Sequence, residues 1–386
     1  MKTKQLLWEA AHGWKVYGDD RSLQPQLVLF FGAPDALRSG TGIAALRSMY
    51  PEAKLLGCST AGEIIGDEVL DGSIVATAVE FERTTIRLAS LQIRDTSESF
   101  DAGTILGDEL NRQGLKGVFV LSDGHTVNGS ELVKGLSRAL GKEVVITGGL
   151  AGDGTHFQQT LVACNDEARE GLVVALGLYG EHIRIGHGSV GGWDSFGPER
   201  NITKASSNEL FELDGQPALE LYKKYLGEEA ANLPGSALLF PLMIRPTGQA
   251  ARGTVRTILS IDEQKQSMIF AGDIPEGYVA QLMMANFDRL VDGAAEAAQY
   301  ARLSDNEFEG DRLAILVSCV GRKMVLGQRV ADETEAVQDI LGESTSQIGF
   351  YSYGEISPHV EIGNCELHNQ TMTITFFSEE SCTSSS

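Results

Sequence analysis

The feature that most limits what this chain can fold into is a short phrase that returns three times. Thr60-Ala61-Gly62-Glu63, Leu150-Ala151-Gly152-Asp153 and Ser352-Tyr353-Gly354-Glu355 each close a strand-helix-strand pattern. In a longer window, Gly57 to Ile64 agrees with Gly349 to Ile356 at four of eight positions. Duplication of one αβ unit is the economical reading. A glycine and a carboxylate straight after a buried strand predict a tight turn. Its acid points either into a site or at backbone amides.

The units themselves are legible. Leu27 to Gly32 (LVLFFG) is a continuous apolar run, the pattern of a strand buried on both faces; Gly42 to Met49 has helical spacing and Leu55 to Cys58 returns as a strand. Gly117 to Ser122, Ser130 to Leu140 and Glu143 to Thr147 repeat that order, with Ser130 as the expected N-cap. Phe157–Cys164, Gly171–Tyr179 and Glu181–Val190 read as antiparallel strands. Further on come a helix over Gln216–Leu226 and strands over Thr254–Ser260 and Met268–Phe270. A helix over Tyr278–Arg302 follows, then a strand over Leu313–Cys319, a helix over Glu333–Leu341 and a strand over Ile348–Tyr351. The expected fold is α/β, with duplicated strand-helix-strand units forming two packed mixed-sheet domains. Their bounds are 1–205 and 206–378, followed by a flexible tail over 379–386. If Gly62 and Gly354 require φ > 0 after a strand, alanine at either destabilises the fold.

Composition removes whole classes of function. The 386 residues carry 31 Lys and Arg against 53 Asp and Glu, a net charge of −22, so nucleic acid and acidic membrane surfaces are repelled. Met1 to Trp14 lacks the apolar core of a signal peptide and no window is apolar enough to span a bilayer, so a cytoplasmic protein is expected. The five cysteines are scattered without a CxxC pair, so free thiols are expected. Enzymatic signatures fail: Gly57-Cys58-Ser59 misses the nucleophile-elbow spacing, and neither a phosphate-binding GxxxxGK[ST] nor HExxH occurs. Cys58 reads as a small buried hydrophobe; the alternative is a reactive thiol at a strand end, and with it an enzyme using Cys58 or the glycine-glutamate carboxylates.

Several phrases in order resemble the FIST proteins: Gly57 to Ile64, Ser122-Asp123-Gly124, Asn128 to Leu132, Gly148 to Gly154, Glu212 to Gly215 and Gly349 to Ile356. The resemblance covers nearly the whole chain, an N-terminal FIST region and a FIST C-terminal region. It implies a small-ligand sensory module of signal transduction and, together with the failed enzymatic signatures, a non-enzymatic one. It is also similar to stand-alone bacterial FIST proteins that bind haem, sense nitric oxide and control a partner histidine kinase in a two-component system.

That resemblance sends the search to the seven histidines, because a b-type haem needs an axial ligand in an apolar pocket. His187 stands out as the metal ligand. In Gly186-His187-Gly188 neither neighbour has a side chain, and Trp193 and Phe196 follow as candidate pocket walls. His182, five residues earlier, falls on the opposite strand face. His125 is the runner-up; His359 and His368 are weaker, and His12 and His156 have nothing special around them. The alternative for His187 is an ordinary strand histidine. Arg256 lies inside an apolar strand and wants an anionic partner, internal (Glu355) or external, and Arg245 is similarly placed. The two arginines would face haem propionates. In a second reading without haem they clamp an anionic metabolite such as an amino acid. Partners implied are a kinase or other signalling protein, a small-molecule or gas ligand and a second copy in a homodimer.

Overall fold

Hydrophobic runs that are apolar on both faces must be covered on both sides, and this chain meets the demand by packing mixed sheets against one another in two interlocked domains. The computed structural model describes residues 1–165, 167–233, 235–248, 253–303, 310–359 and 363–380; Cys382 lies outside the described residues.

The expected repeat is present in three copies. In each, two parallel strands flank a helix: Leu27–Gly32 with Lys54–Ser59, Leu115–Ser122 with Val145–Leu150, and Arg312–Cys319 with Thr345–Ser352. After the second strand each unit sends a hairpin into the sheet of another. Glu63–Ile65 pairs with Thr345–Ser352, Val162–Cys164 with Lys54–Ser59, and Gly354–Pro358 with Val145–Leu150. The chain then returns antiparallel to its own first strand, through Ile74–Glu80, Leu172–Tyr179 and Met372–Glu379. The next strand crosses over again: Thr85–Gln92 joins the second unit and Ile183–Val190 the third. Lys2–Glu9 fills the same place in the first unit, and the Met1 amino group lies 3.1 Å from Glu379 Oε2, so the two ends of the chain complete a ring. Glu379, expected in the tail, is the buried last residue of a strand. The central core, with Phe31, Phe119, Leu121, Val317 and Phe350, is shared by all three sheets.

Between Ile183–Val190 and Arg312–Cys319 the chain builds a second body. Asp194–Ser206, Glu209–Leu213, Ser267–Phe270, Leu242–Pro246 and Tyr278–Met284 are joined in a closed small barrel by one further strand. That strand bends at Thr257, so Thr254–Arg256 pairs on one side and Ile258–Asp262 on the other. Helix Ala218–Leu226 buries Leu219 and Tyr222 in the barrel core.

Three local readings change. The helix expected over Tyr278–Arg302 is a strand, Tyr278–Met284, followed by helix Phe287–Ala301 capped by Asn286, whose Oδ1 accepts from Arg289 N at 3.3 Å. Ala and Leu spacing over a few residues suits either element, and the cap decides. The strand expected over Phe157–Cys164 shrinks to Val162–Cys164, because Asp153 draws the amides of Phe157, Gln158 and Gln159 out of any ladder. Helix Gly129–Leu140 is capped by Asn128 rather than Ser130, through a 3.1 Å bond from Glu131 N.

Candidate functional site

The three glycine-carboxylate turns meet where the units close. Gly152 N donates to Ser59 O at 2.9 Å, Ala61 N to Tyr351 O at 2.8 Å and Tyr353 N to Leu150 O at 3.2 Å. A side chain on Gly152 would stand 3.0 Å from Ala61 N, and Gly62 adopts φ +142°, so both glycines answer to backbone geometry. Gly354 does not share the positive φ of Gly62. The acids are satisfied locally. Glu63 accepts from Thr60 Oγ1 at 2.5 Å and from Ser73 N and Oγ at 3.0 and 2.9 Å. Glu355 accepts from Ser352 Oγ at 2.6 Å and from Thr371 N and Oγ1 at 3.2 and 3.0 Å. Burial pushes Glu63 up to about 7 and Glu355 up to about 8, against the pull of those donors. Asp153 behaves in the opposite way. Burial works to raise it, but three amides and the Tyr353 hydroxyl outweigh that and hold it below the usual carboxylate range. Each carboxylate is thus engaged by hydroxyls and amides of the protein itself, some of them, such as Thr371 and Tyr353, brought in from other segments.

Two clefts adjoin each other away from these turns, at the seam between the ring and the barrel. A first cleft of about 570 Å³ has Ser189 to Trp193, helix Phe287–Ala301 and His368 and Thr371 on the ring side. Met243, Val255 and Met283 line its barrel side. A second of about 350 Å³ adjoins it, sharing Gly253, Thr254 and His359 with the first. Two bodies that meet across a crevice are a common place for a small ligand. Burial pushes the His368 imidazole down to about 4, so it is neutral, and its Nε2 lies 3.0 Å from Ser357 O. The His359 ring stacks 6.1 Å away.

The residues singled out in the sequence divide between these places. Trp193 lines the first cleft, its Nε1 donating to Gln370 O at 2.7 Å. Arg245 and Arg256 line the second. Arg245 pairs with Glu199 at 2.5 Å. Arg256 donates to Asp273 O at 3.2 Å and Leu367 O at 2.8 Å, not to Glu355. Phe196 belongs to neither cleft; it packs 6.4 Å from Phe240 in the barrel.

His187 lies outside both clefts as well, opposite Thr375 on Ile183–Val190, with Nδ1 buried and unpartnered and its pKa lowered by burial. Its flanking glycines have a different purpose from the one expected. A Cβ at Gly186 or Gly188 would run into the carbonyls of Ala301 and Ala297, so the glycines let helix Phe287–Ala301 pack on their face of the strand, the face opposite the His187 ring. His125 packs edge-on against Tyr353, and Cys58 is fully buried with its thiol pushed well up.

The sequence passed over Ser130, Lys134, Thr254 and Arg289 in these clefts, and ranked His359 and His368 low. Nothing local marks them, because the ring and the inserted barrel bring them together from distant stretches. It also missed the buried pair Arg322 and Glu333, 2.7 Å apart, where Tyr351 adds its hydroxyl at 2.7 Å.

The FIST N domain matches residues 26–216 and the FIST C domain residues 218–358. An uncharacterised protein of Methanocaldococcus jannaschii is 24% identical over 350 residues, 83% of this chain and 64% of that protein. This chain therefore spans less than two thirds of that relative's length. A crystal structure of a cyanuric acid hydrolase from A. caulinodans superposes with a TM-score of 0.33 at 8% identity, covering 93% of this chain and 91% of the other, a likeness too low to bear on function.

Proposed function

Because this chain belongs to the FIST family, whose domains are sensory modules of signal transduction, we propose that it is a non-enzymatic sensor that holds a small anionic metabolite, such as an amino acid, in the seam between ring and barrel. The carrying observation is that both arginines singled out in the sequence, Arg245 and Arg256, line one of two adjoining clefts in the seam between the two bodies, and Trp193 lines the other. A ligand touching both walls stabilises one relative placement of them, and a signalling partner reads that placement. Thermal denaturation of the full chain with an amino-acid panel tests this. Saturable stabilisation is expected in the wild type and its loss in Val255→Trp, which fills the first cleft; no stabilisation by any amino acid contradicts it.

One observation favours a second reading, haem. His359 and His368 face the first cleft beside Trp193, and His368 is neutral, as an iron ligand must be. The residues that would hold haem are then these two, with the cleft's Met and Val side chains as walls, in place of His187, and the bound iron would supply the nitric oxide chemistry reported to a histidine kinase. Haemin titration separates the readings: an absorption band lost in His359→Ala or His368→Ala and kept in His187→Ala supports this one, and a protein that takes up no haemin ends it.

A further inference from the structure

We propose that the second cleft is a carboxylate-binding site in which Arg256 and Ser130 supply the donors, an assignment that rests on the seam reading and names its anion-binding half. Arg256 is only 7% exposed and its bonded partners are two neutral carbonyls. Among the described residues no carboxylate lies within ion-pair distance of it, and its Nη2 has no bonded partner. A guanidinium does not shed its proton, so a buried one without a contacting anion is an expensive arrangement that an incoming anion relieves. Ser130 is the independent observation. It is 8% exposed, lines the same cleft, and its Oγ has no hydrogen-bond partner. It sits in the first turn of the twelve-residue helix Gly129–Leu140, whose dipole also favours negative charge. Lys134, one turn later, lines the cleft too, but it is already engaged by Glu131 at 2.6 Å and Asp273 at 3.1 Å.

The charge count selects among anions. A guanidinium with no carboxylate in contact, Glu366 and Asp273 acting on it only at longer range, and one hydroxyl match the single charge and two oxygens of a carboxylate. A phosphate dianion would bring a second negative charge beside Asp273 and Glu366, which line the same wall. A volume of about 350 Å³ is at the small end of ligand cavities and suits a small organic acid.

The test titrates the full chain with acetate, succinate and L-glutamate, against chloride at matched ionic strength and against inorganic phosphate, by calorimetry and thermal shift. The expected result is saturable binding of a carboxylate, weakened about tenfold in Ser130→Ala and lost in Arg256→Gln, with Lys134→Gln changing it less than threefold. Because Arg256→Gln also removes two structural hydrogen bonds, Ser130→Ala, with unchanged far-UV circular dichroism, decides the matter. Phosphate bound in preference to every carboxylate overturns the assignment, and so does carboxylate binding that Ser130→Ala leaves intact. Binding that Val255→Trp abolishes while Ser130→Ala spares it leaves the seam reading standing and removes this site alone.

Discussion

The turn at Asp153 and the turns at Glu63 and Glu355 share a phrase but not a structure, and the pairing registers show why. Ile64 lies opposite Gly349, Ile356 opposite Gly148, and Ala163 opposite Gly57, so Val162, not Asp153, occupies the place of the two glutamates. In the first and third units the acid is a strand residue sealed among hydroxyls. In the second, extra residues are inserted before the hairpin, and Asp153 gathers their amides as an ionised anchor. Similar letters therefore hide a neutral-leaning core carboxyl and a charged loop organiser. What the three units do share is the backbone ring of hydrogen bonds at their closing ends.

The largest expected effect breaks the loop organiser. Asp153→Ala leaves three amides and the Tyr353 hydroxyl without their acceptor, and should lower unfolding free energy by about 3 kcal/mol in chemical denaturation. Glu63→Gln, which keeps shape and an acceptor, should cost less than about 1 kcal/mol.

Next come the glycines. Gly62→Ala forces a side chain into φ +142° and makes the Lys323 ammonium move aside, for an expected loss of about 2 kcal/mol that comes from the backbone. Gly354→Ala meets only the tip of Leu367 at 2.9 Å and should lose about half as much. Equal losses would mean that the two turns are equivalent after all.

The smallest effect is a pH dependence, and its sign separates the acids. Glu63 and Glu355 titrate higher folded, near 7 and 8, than unfolded, so their contribution is full below about pH 4 and is lost as pH rises through 7 to 8. Asp153 titrates lower folded, so its contribution is present above about pH 4 and lost as pH falls through its folded value. Glu355→Gln should flatten the decline in stability between pH 5 and 8, and Asp153→Asn should not. Denaturation midpoints across that range check both.

Much of the fold was legible because buried parallel strands announce themselves as unbroken apolar runs: Leu27–Gly32 and Arg312–Cys319 lie where LVLFFG and LAILVSC put them. The exchange of hairpins between units was not legible, since strands such as Glu63–Ile65 are too short to carry a period and pair with residues nearly 300 positions away. The site was legible in part. Arg256 betrayed itself as a charge in an apolar strand, whereas Ser130 looked like a helix cap until Asn128 took that place and left its hydroxyl unpartnered. The glycines beside His187 read as room for a ligand, whereas they seat helix Phe287–Ala301 on the opposite face of that strand, a long-range contact that no local pattern announces.

In the proposed function a ligand joins ring to barrel. The most direct measurement is the distance between spin labels at exposed Lys204 on the barrel and exposed Lys142 on the ring, with and without saturating L-glutamate in the full chain. A saturable shift or narrowing of the distance distribution, abolished by Val255→Trp, is the predicted result. A distribution that stays unchanged while calorimetry shows glutamate bound would contradict it.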